Sequence, residues 1–212
     1  MSRTASATPV VLPRAQRAGE AKAAAGDKAW PRTSDDAIEV LISLGSNIRP
    51  ELNLPRALRA LAGHPRLHVL DVSRVWHSEA VGSPGPSFLN AAVRLGLAPG
   101  WRIQPIELKY DVLRPIERAL GRRRSEDRNA PRSIDIDLSL FGDQVLVEDR
   151  SGRFIELPDP EILTRAHVAL PLADVAPNWR HPTDGRRMRQ IAHALEGGTV
   201  SPCDGMTLRA AS

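Results

Sequence analysis

The sequence predicts an α+β domain whose helices cover one side of a mainly antiparallel sheet, and two observations predict it. Segments with a strand period and segments with a helix period follow one another as strand, helix, strand, strand, helix, strand. The chain has 212 residues, 42% of them hydrophobic, enough for one domain with a sizeable core and some length to spare. That element order is the ferredoxin-like one, a sandwich with one sheet face left free. It hosts many unrelated activities, so the fold alone carries no function.

The first 37 residues stand apart. They are rich in Ala, Arg, Ser and Pro, show no sustained apolar period, and are expected to form a disordered extension. They lack the continuous apolar centre of a secretory signal, and a disordered tail is favoured over a transit peptide. Ile38 to Asn47 is a short apolar run stopped by Gly-Ser-Asn, a buried strand. Asn53 is expected to cap a helix with Pro55 as its second residue and Leu54, Leu58 and Leu61 on one side. "RLHVLDVSRVWHS" reads as the second strand and "FLNAAVRLGLA" as the third, with the loop "EAVGSPGPS" between them. Residues 103 to 120 read as a helix whose bounds Pro105 and Pro115 blur. In residues 133–140, Ile134, Ile136, Leu138 and Leu140 alternate with Ser133, Asp135, Asp137 and Ser139, a half-buried strand. Its apolar side is expected to meet the helices and its acidic side to stay open. "GDQ" then reads as a tight turn into a partner strand, "VLVE". Short helical segments are expected around 160–175 and 186–195, and residues 196–212 as a flexible C-terminal tail, which leaves 38–195 as the domain.

No apolar run is long enough to span a bilayer. The single cysteine, Cys203, rules out an internal disulfide framework and fits a reducing cytoplasm. A formal charge of +4 suits an anionic ligand without calling for nucleic acid.

The chemistry gathers around residues 121–137. Asp135 and Asp137 lie two apart on one strand face, about 6.5–7 Å between Cα atoms, and cannot brace each other. A hard divalent cation removes that conflict, because Mg²⁺ takes one or two carboxylates and completes its shell with water and phosphate oxygens. Two cations sharing the pair would suit in-line displacement at phosphorus. A solvated strand face with two chance acids explains the triplet alone as well. It does not explain "GRRRSEDRNAPR" just before it, where five arginines stand against two acids in a loop broken by glycine and proline. Arginine forks match phosphate oxygens in paired hydrogen bonds. Together the two features suggest polyphosphate and metal.

At this point the sequence resembles the 6-hydroxymethyl-7,8-dihydropterin pyrophosphokinases. The resemblance rests on "LISLGSN", "FLNAAV", "IERALGRRR", "APRSIDIDLSLFG" and "TRAHVALPLADVAP", in that order, and covers about residues 38–195. It implies transfer of the β,γ-pyrophosphoryl group of ATP to the pterin hydroxymethyl oxygen with release of AMP, as a step of folate synthesis. It also implies two Mg²⁺ ions, a ferredoxin-like fold, a monomeric cytoplasmic enzyme, and neither nucleic acid nor membrane as partner. By position, Asp135 and Asp137 match the metal-bridging acids. Arg122, Arg124 and Arg132 match the groups that hold the triphosphate, and Glu117 matches an acid near the nucleotide site. Ser78 to Val81, with Ala80 between, matches the segment whose backbone meets the pterin edge. Asn90 matches the residue that hydrogen-bonds the pterin, Phe88 an aromatic of its pocket, and Arg165 and His167 an arginine and a ring-stacking aromatic. Taken singly, Asn90 is equally a strand-edge amide, Phe88 a core residue, Arg165 an ion-pair partner and His167 a satisfied interior histidine.

The sequence departs from the family at four single positions and carries extra residues around 101–110 and 149–154 relative to compact members. Asp159 stands where the family commonly has a histidine that helps hold phosphate, and an aspartate cannot donate that hydrogen bond. Asn129 stands for an aromatic, His167 for a phenylalanine, and Arg114 for a glutamine. The metal and phosphate residues are intact, so these changes bear on nucleotide affinity and on the identity of the acceptor. Two alternatives follow: a relative that acts on a modified pterin outside folate synthesis, and a ferredoxin-like RNA-binding module. The second needs aromatics on the open face, whereas aromatics are only 4% of the chain and two acids would lie there.

Overall fold

The computed structural model describes residues 38–79, 85–123 and 130–209, with the backbone of Val10 and Val11. The rest of the expected extension over 1–37 lies outside the described residues.

In chain order the strands are β1 (Val10–Val11), β2 (Glu39–Ser46), β3 (Leu67–Val72), β4 (Trp76–Ser78), β5 (Phe88–Leu97), β6 (Asp135–Phe141), β7 (Leu146–Arg150), β8 (Arg153–Leu157) and β9 (Val200–Pro202). The helices are α1 (Pro50–Ala62), α2 (Pro105–Glu107), α3 (Arg114–Ala119), α4 (Ala166–Val175) and α5 (Met188–Leu195). A π-helical segment, Leu108–Leu113, joins α2 to α3, and a 3-10 turn, Pro160–Leu163, precedes α4.

The main sheet has six strands in the order β6-β2-β5-β4-β9, with β3 also paired to β5. All its pairs are antiparallel. This is the ferredoxin-like arrangement, with the second strand divided into β3 and β4. The division falls at Ser73, whose backbone N–H donates to the Ala92 carbonyl while its hydroxyl accepts from the Ala92 N–H.

On one face α1 buries Leu54, Ala57, Leu58 and Leu61, spaced as a helical stripe. They meet Val40, Ile42, Leu44, Val93, Leu95, Ile134, Ile136 and Leu138 in the larger core, with Leu108 and Leu113 from the second helical run. Each such side chain contributes roughly 1.5–3 kcal/mol on burial. α1 begins at Pro50, earlier than expected. Arg49 precedes it in the left-handed region (φ 46°), and Pro55 lies inside the helix. Across 105–119 the π segment accommodates Pro115. The N–H of Arg114 reaches back five residues to the Lys109 carbonyl, and the wider turn makes room for the proline ring.

Four expectations differ from the structure. The second sheet face is not left free: Leu41, Ala92 and Leu140 on it are covered by Val168, Ala169, Leu172 and Val175 of α4 and Ile191 of α5. Apolar strand residues on that side had to be buried, and α4 and α5 supply the cover. Leu140 belongs to this second face although Leu138 belongs to the first, because the register of β6 against β2 skips Ser139. Such a bulge inverts the alternation beyond it. "VLVE" does not pair with β6; β7 pairs with β1 and β8 in a separate three-stranded sheet. Its hairpin partner is reached through Ser151 and Gly152, both at positive φ (53° and 75°), a two-residue turn whose twist suits a hairpin. Finally, the segment expected as a flexible tail carries β9, which pairs with β4, and Leu208, which is buried in the larger core.

Candidate active site

The site lies where the apolar cover of the second face stops. Register places Trp76, Asn90, Gly45 and Asp135 in one row across β4, β5, β2 and β6. Ala92, Ser43 and Asp137 form the next row over three of the same strands. With neighbouring strands about 4.8 Å apart, Asn90 and Asp135 are roughly 10 Å from each other, with Gly45 between them.

At the β6 end the two aspartates are in unlike states. Asp135 is ion-paired with Arg132, and Arg122 Nε stands 3.7 Å from its other oxygen. Asp137 has no such partner among the described residues; burial, then the charges of Asp135 and Glu117, push its carboxyl up to about 7. Asp159 adds to that push, and the charge of Lys109 opposes it. The conflict read in the sequence is thus half relieved by arginine, on Asp135 alone. Glu117 is buried in α3, and its carboxylate accepts from the N–H of Ile136, between the aspartates, at 2.8 Å. It anchors the strand between the two aspartates, and its charge adds to the push on Asp137.

Among the described residues no three His, Cys, Asp or Glu side chains are grouped to hold a metal ion. An uncompensated carboxylate beside an arginine-paired one still fits Mg²⁺, which leaves most of its shell to water and phosphate. It does not fit a metal held by protein ligands alone.

At the β4–β5 end, Asn90 is buried and donates to Ser78 Oγ at 2.9 Å and, at 3.4 Å, to the Trp76 carbonyl. A side-chain carbon built on Gly45 would lie 3.6 Å from Asn90 Oδ1 and 4.0 Å from the Phe88 ring. Half-buried Phe88 therefore shares the face of Asn90. The indole of Trp76 donates to Asp174 of α4 at 2.9 Å, and Arg74 both pairs with Asp174 and covers the indole ring.

α4 lies over β5, β2 and β4, which puts His167, in its first turn, on the same side of the sheet. His167 is half-buried, and burial lowers its imidazole below the usual histidine range. Arg165, just before the helix, is exposed. Asp159 is turned inward as the cap of the 3-10 turn, accepting from the N–H of Glu161 at 2.9 Å, and burial raises its carboxyl. The guanidinium carbon of Arg114 lies over the Tyr110 ring, 3.7 Å from its centre. Of the residues singled out from sequence, Ala80, Val81, Arg124 and Asn129 lie outside the described residues.

Sequence reasoning took "GSN" only as a turn and missed two residues there. Gly45 is the side-chain-free place between Asn90 and Asp135. Asn47, 8% exposed, accepts from the Arg132 N–H at 2.6 Å and donates to the Pro86 carbonyl at 3.3 Å. A polar amide directly after a buried strand was the available signal. It missed as well the phenol of Tyr110, which accepts from the Phe154 N–H and donates to the Phe154 carbonyl, closing the outer edge of β8.

Residues 41–177 match the family model of 7,8-dihydro-6-hydroxymethylpterin-pyrophosphokinase. A 2-amino-4-hydroxy-6-hydroxymethyldihydropteridine pyrophosphokinase of Synechocystis is 34% identical over 163 residues, 76% of this chain and 78% of that one. A protein of the same description from Pseudomonas aeruginosa is 34% identical over 157 residues, 73% of this chain and 90% of the other. Among solved structures, the HPPK-DHPS protein of Plasmodium falciparum superposes with a TM-score of 0.59 at 13% identity. That likeness, which speaks to the fold, spans 76% of this chain and 45% of the longer Plasmodium chain.

Proposed function

Because the chain belongs to the 7,8-dihydro-6-hydroxymethylpterin-pyrophosphokinase family, we propose that it transfers pyrophosphate from ATP to 6-hydroxymethyl-7,8-dihydropterin in folate synthesis, releasing AMP. The observation that carries this reading is the row Asn90–Gly45–Asp135: a pyrimidine-reading amide and a phosphate-side acid on one face, separated by a residue without a side chain.

The pterin lies against Phe88 and His167, with Asn90 offering an amide to its donor and acceptor edge and Ser78 fixing the Asn90 rotamer. The segment of Ala80 and Val81 completes that edge. Its hydroxymethyl oxygen attacks the β-phosphorus; the bond from that phosphorus to the α,β-bridging oxygen breaks, and the oxygen leaves on AMP. The hydroxyl proton passes to water, since none of the described side chains stands as a general base. Asp135 and Asp137 would hold Mg²⁺, two ions in this reading, whose chemistry is to neutralise the triphosphate and acidify the attacking hydroxyl. Arg122 and Arg132, which stand at Asp135, would follow the charge of the transferring group, with Arg124 and Arg165 on the outer phosphates. Positioning and charge stabilisation supply most of the acceleration in such transfers. Glu117 keeps both aspartates in place through Ile136.

The folded unit is residues 38–195 extended by β9 and Leu208, preceded by the 1–37 extension, and works as a cytoplasmic monomer. No helix among the described residues is long and apolar enough to cross a membrane, and the one cysteine is free.

The test is product identity: AMP formed from ATP and the pterin, dependent on Mg²⁺. ADP in place of AMP would make the reaction a simple kinase transfer and overturn the assignment. His167 in the stacking position and the inward turn of Asp159 favour one second reading, a modified pterin as acceptor. Faster turnover of methylated analogues than of the parent pterin would establish it.

A further inference from the structure

The two ends of the site are fastened to each other through one side chain. Asn47 Oδ1 accepts from the Arg132 N–H at 2.6 Å, and the Arg132 carbonyl accepts from the N–H groups of Asn47 and Ile48 at 3.1 and 3.2 Å. Arg132 is thereby gripped on both sides of its backbone, three residues before Asp135. The other end of the same amide, Nδ2, donates to the carbonyl of Pro86, two residues before Phe88.

Asn47 is itself held. Ser46 Oγ donates to the Ser133 carbonyl at 2.6 Å, and Asn53 Nδ2 donates to the Ile48 carbonyl at 2.7 Å. Arg49 then takes a left-handed backbone, φ 46° and ψ 52°, which a residue with a side chain adopts only when its surroundings impose it. Asn53 and Ser46 are both buried, so the turn is set by interior contacts and not by solvent. A buried amide with both ends engaged is costly to replace, because each partner would be left unpaired.

We propose that Asn47 is a positioning residue that couples the two substrate sites: its amide sets the lead-in to the pterin strand β5 against the lead-in to the acid strand β6. A shift of Arg132 as phosphate arrives is passed through Oδ1 and Nδ2 to Pro86, and from there to Phe88 and Asn90. Asn47 touches no reacting atom in this account. The inference rests on the proposed reaction only for the names of the two substrates.

Asn47→Asp separates the two arms, since a carboxylate keeps the acceptor for Arg132 and loses the donor for Pro86. The expected result is a KM for the pterin raised about five- to tenfold, the loss of one hydrogen bond, with KM for ATP changed less than twofold. Asn47→Ala removes both arms and raises both KM values. Should Asn47→Ala not fold, the near-isosteric Asn47→Asp carries the test. A second readout needs no turnover: a non-hydrolysable ATP analogue with Mg²⁺ is expected to slow amide exchange at residues 85–90 in the parent protein and not in Asn47→Asp. The proposal is overturned if Asn47→Asp raises both KM values equally or neither, or if the analogue protects residues 85–90 equally in both proteins. AMP release by the parent protein, measured first, reports on the proposed reaction, and only the variants report on Asn47.

Discussion

The two faces of the six-stranded sheet come from the same strands and are built to different ends. The face under α1 is lined by buried apolar residues, among them Leu67 and Ile134. The opposite face is apolar where Leu41, Ala92 and Leu140 meet α4 and α5, and polar beyond them, where Asn90, Ser43, Asp135 and Asp137 lie. The first face carries the stability; the second gives part of its own away. An uncompensated carboxylate such as Asp137 is unfavourable for the folded protein and useful to a cation. Substitutions on the two faces are therefore expected to separate activity from stability.

The largest effect is expected from Asp137→Asn. AMP release falls about a thousandfold or more, while the metal-free protein melts higher by roughly 2–4 °C, about 1 kcal/mol. A variant that lost activity and stability together would erase the distinction between the faces. Next comes Leu58→Ala beneath α1, which is fully buried. It is expected to cost about 2–5 kcal/mol in denaturant unfolding and to leave kcat of the folded fraction within about twofold.

A smaller effect concerns pH. Asp137, Glu39 and Asp159 are all held above their ordinary values, with burial as the first cause. For Asp137 the folded value of about 7 exceeds the ordinary 3.8, so the folded state keeps a proton that the unfolded chain has lost. Stability of the metal-free protein should therefore rise as pH falls from about 8 towards 5, by at most a few kcal/mol. The rise should shrink in Asp137→Asn, and thermal melts across that range check it. The smallest effect is expected from Tyr110→Phe, which takes the acceptor from the Phe154 N–H at a partly exposed edge while Lys109 Nζ still donates to the Phe154 carbonyl. It should cost about 0.5–1.5 kcal/mol in chemical denaturation, with product formation unchanged.

The legible parts of this molecule were the local ones. Alternation through Ile134, Ile136 and Leu138 gave the correct inward side, and Asp135 and Asp137 were found as a pair on the other. Leu140 was misplaced because the skip at Ser139 is a matter of pairing with β2, which no local pattern records. The hairpin was assigned to "GDQ" although "SG", six residues after "VLVE" begins, is itself a two-residue turn signal; here the information was present and passed over. Helical segments around 160–175 and 186–195 were foreseen, but not that they would lie on the second face, since periodicity shows which side of a helix is apolar and not what it meets. The same limit hid the Arg132–Asp135 pair from the question of how two acids coexist, and β9 from a segment whose partner strand is more than a hundred residues away.

The missing side chain at residue 45 turns a flat sheet into a trough. With nothing rising from β2 between the amide of Asn90 and the carboxylate of Asp135, an alcohol arm held on one side can lie down along the strand and end beside a phosphorus held on the other. A methyl there would come into ordinary contact with Asn90 Oδ1 and the Phe88 ring, and a valine would raise a wall between the two halves. Such a protein would still seat each molecule in its own half, and the two would wait on opposite sides without meeting.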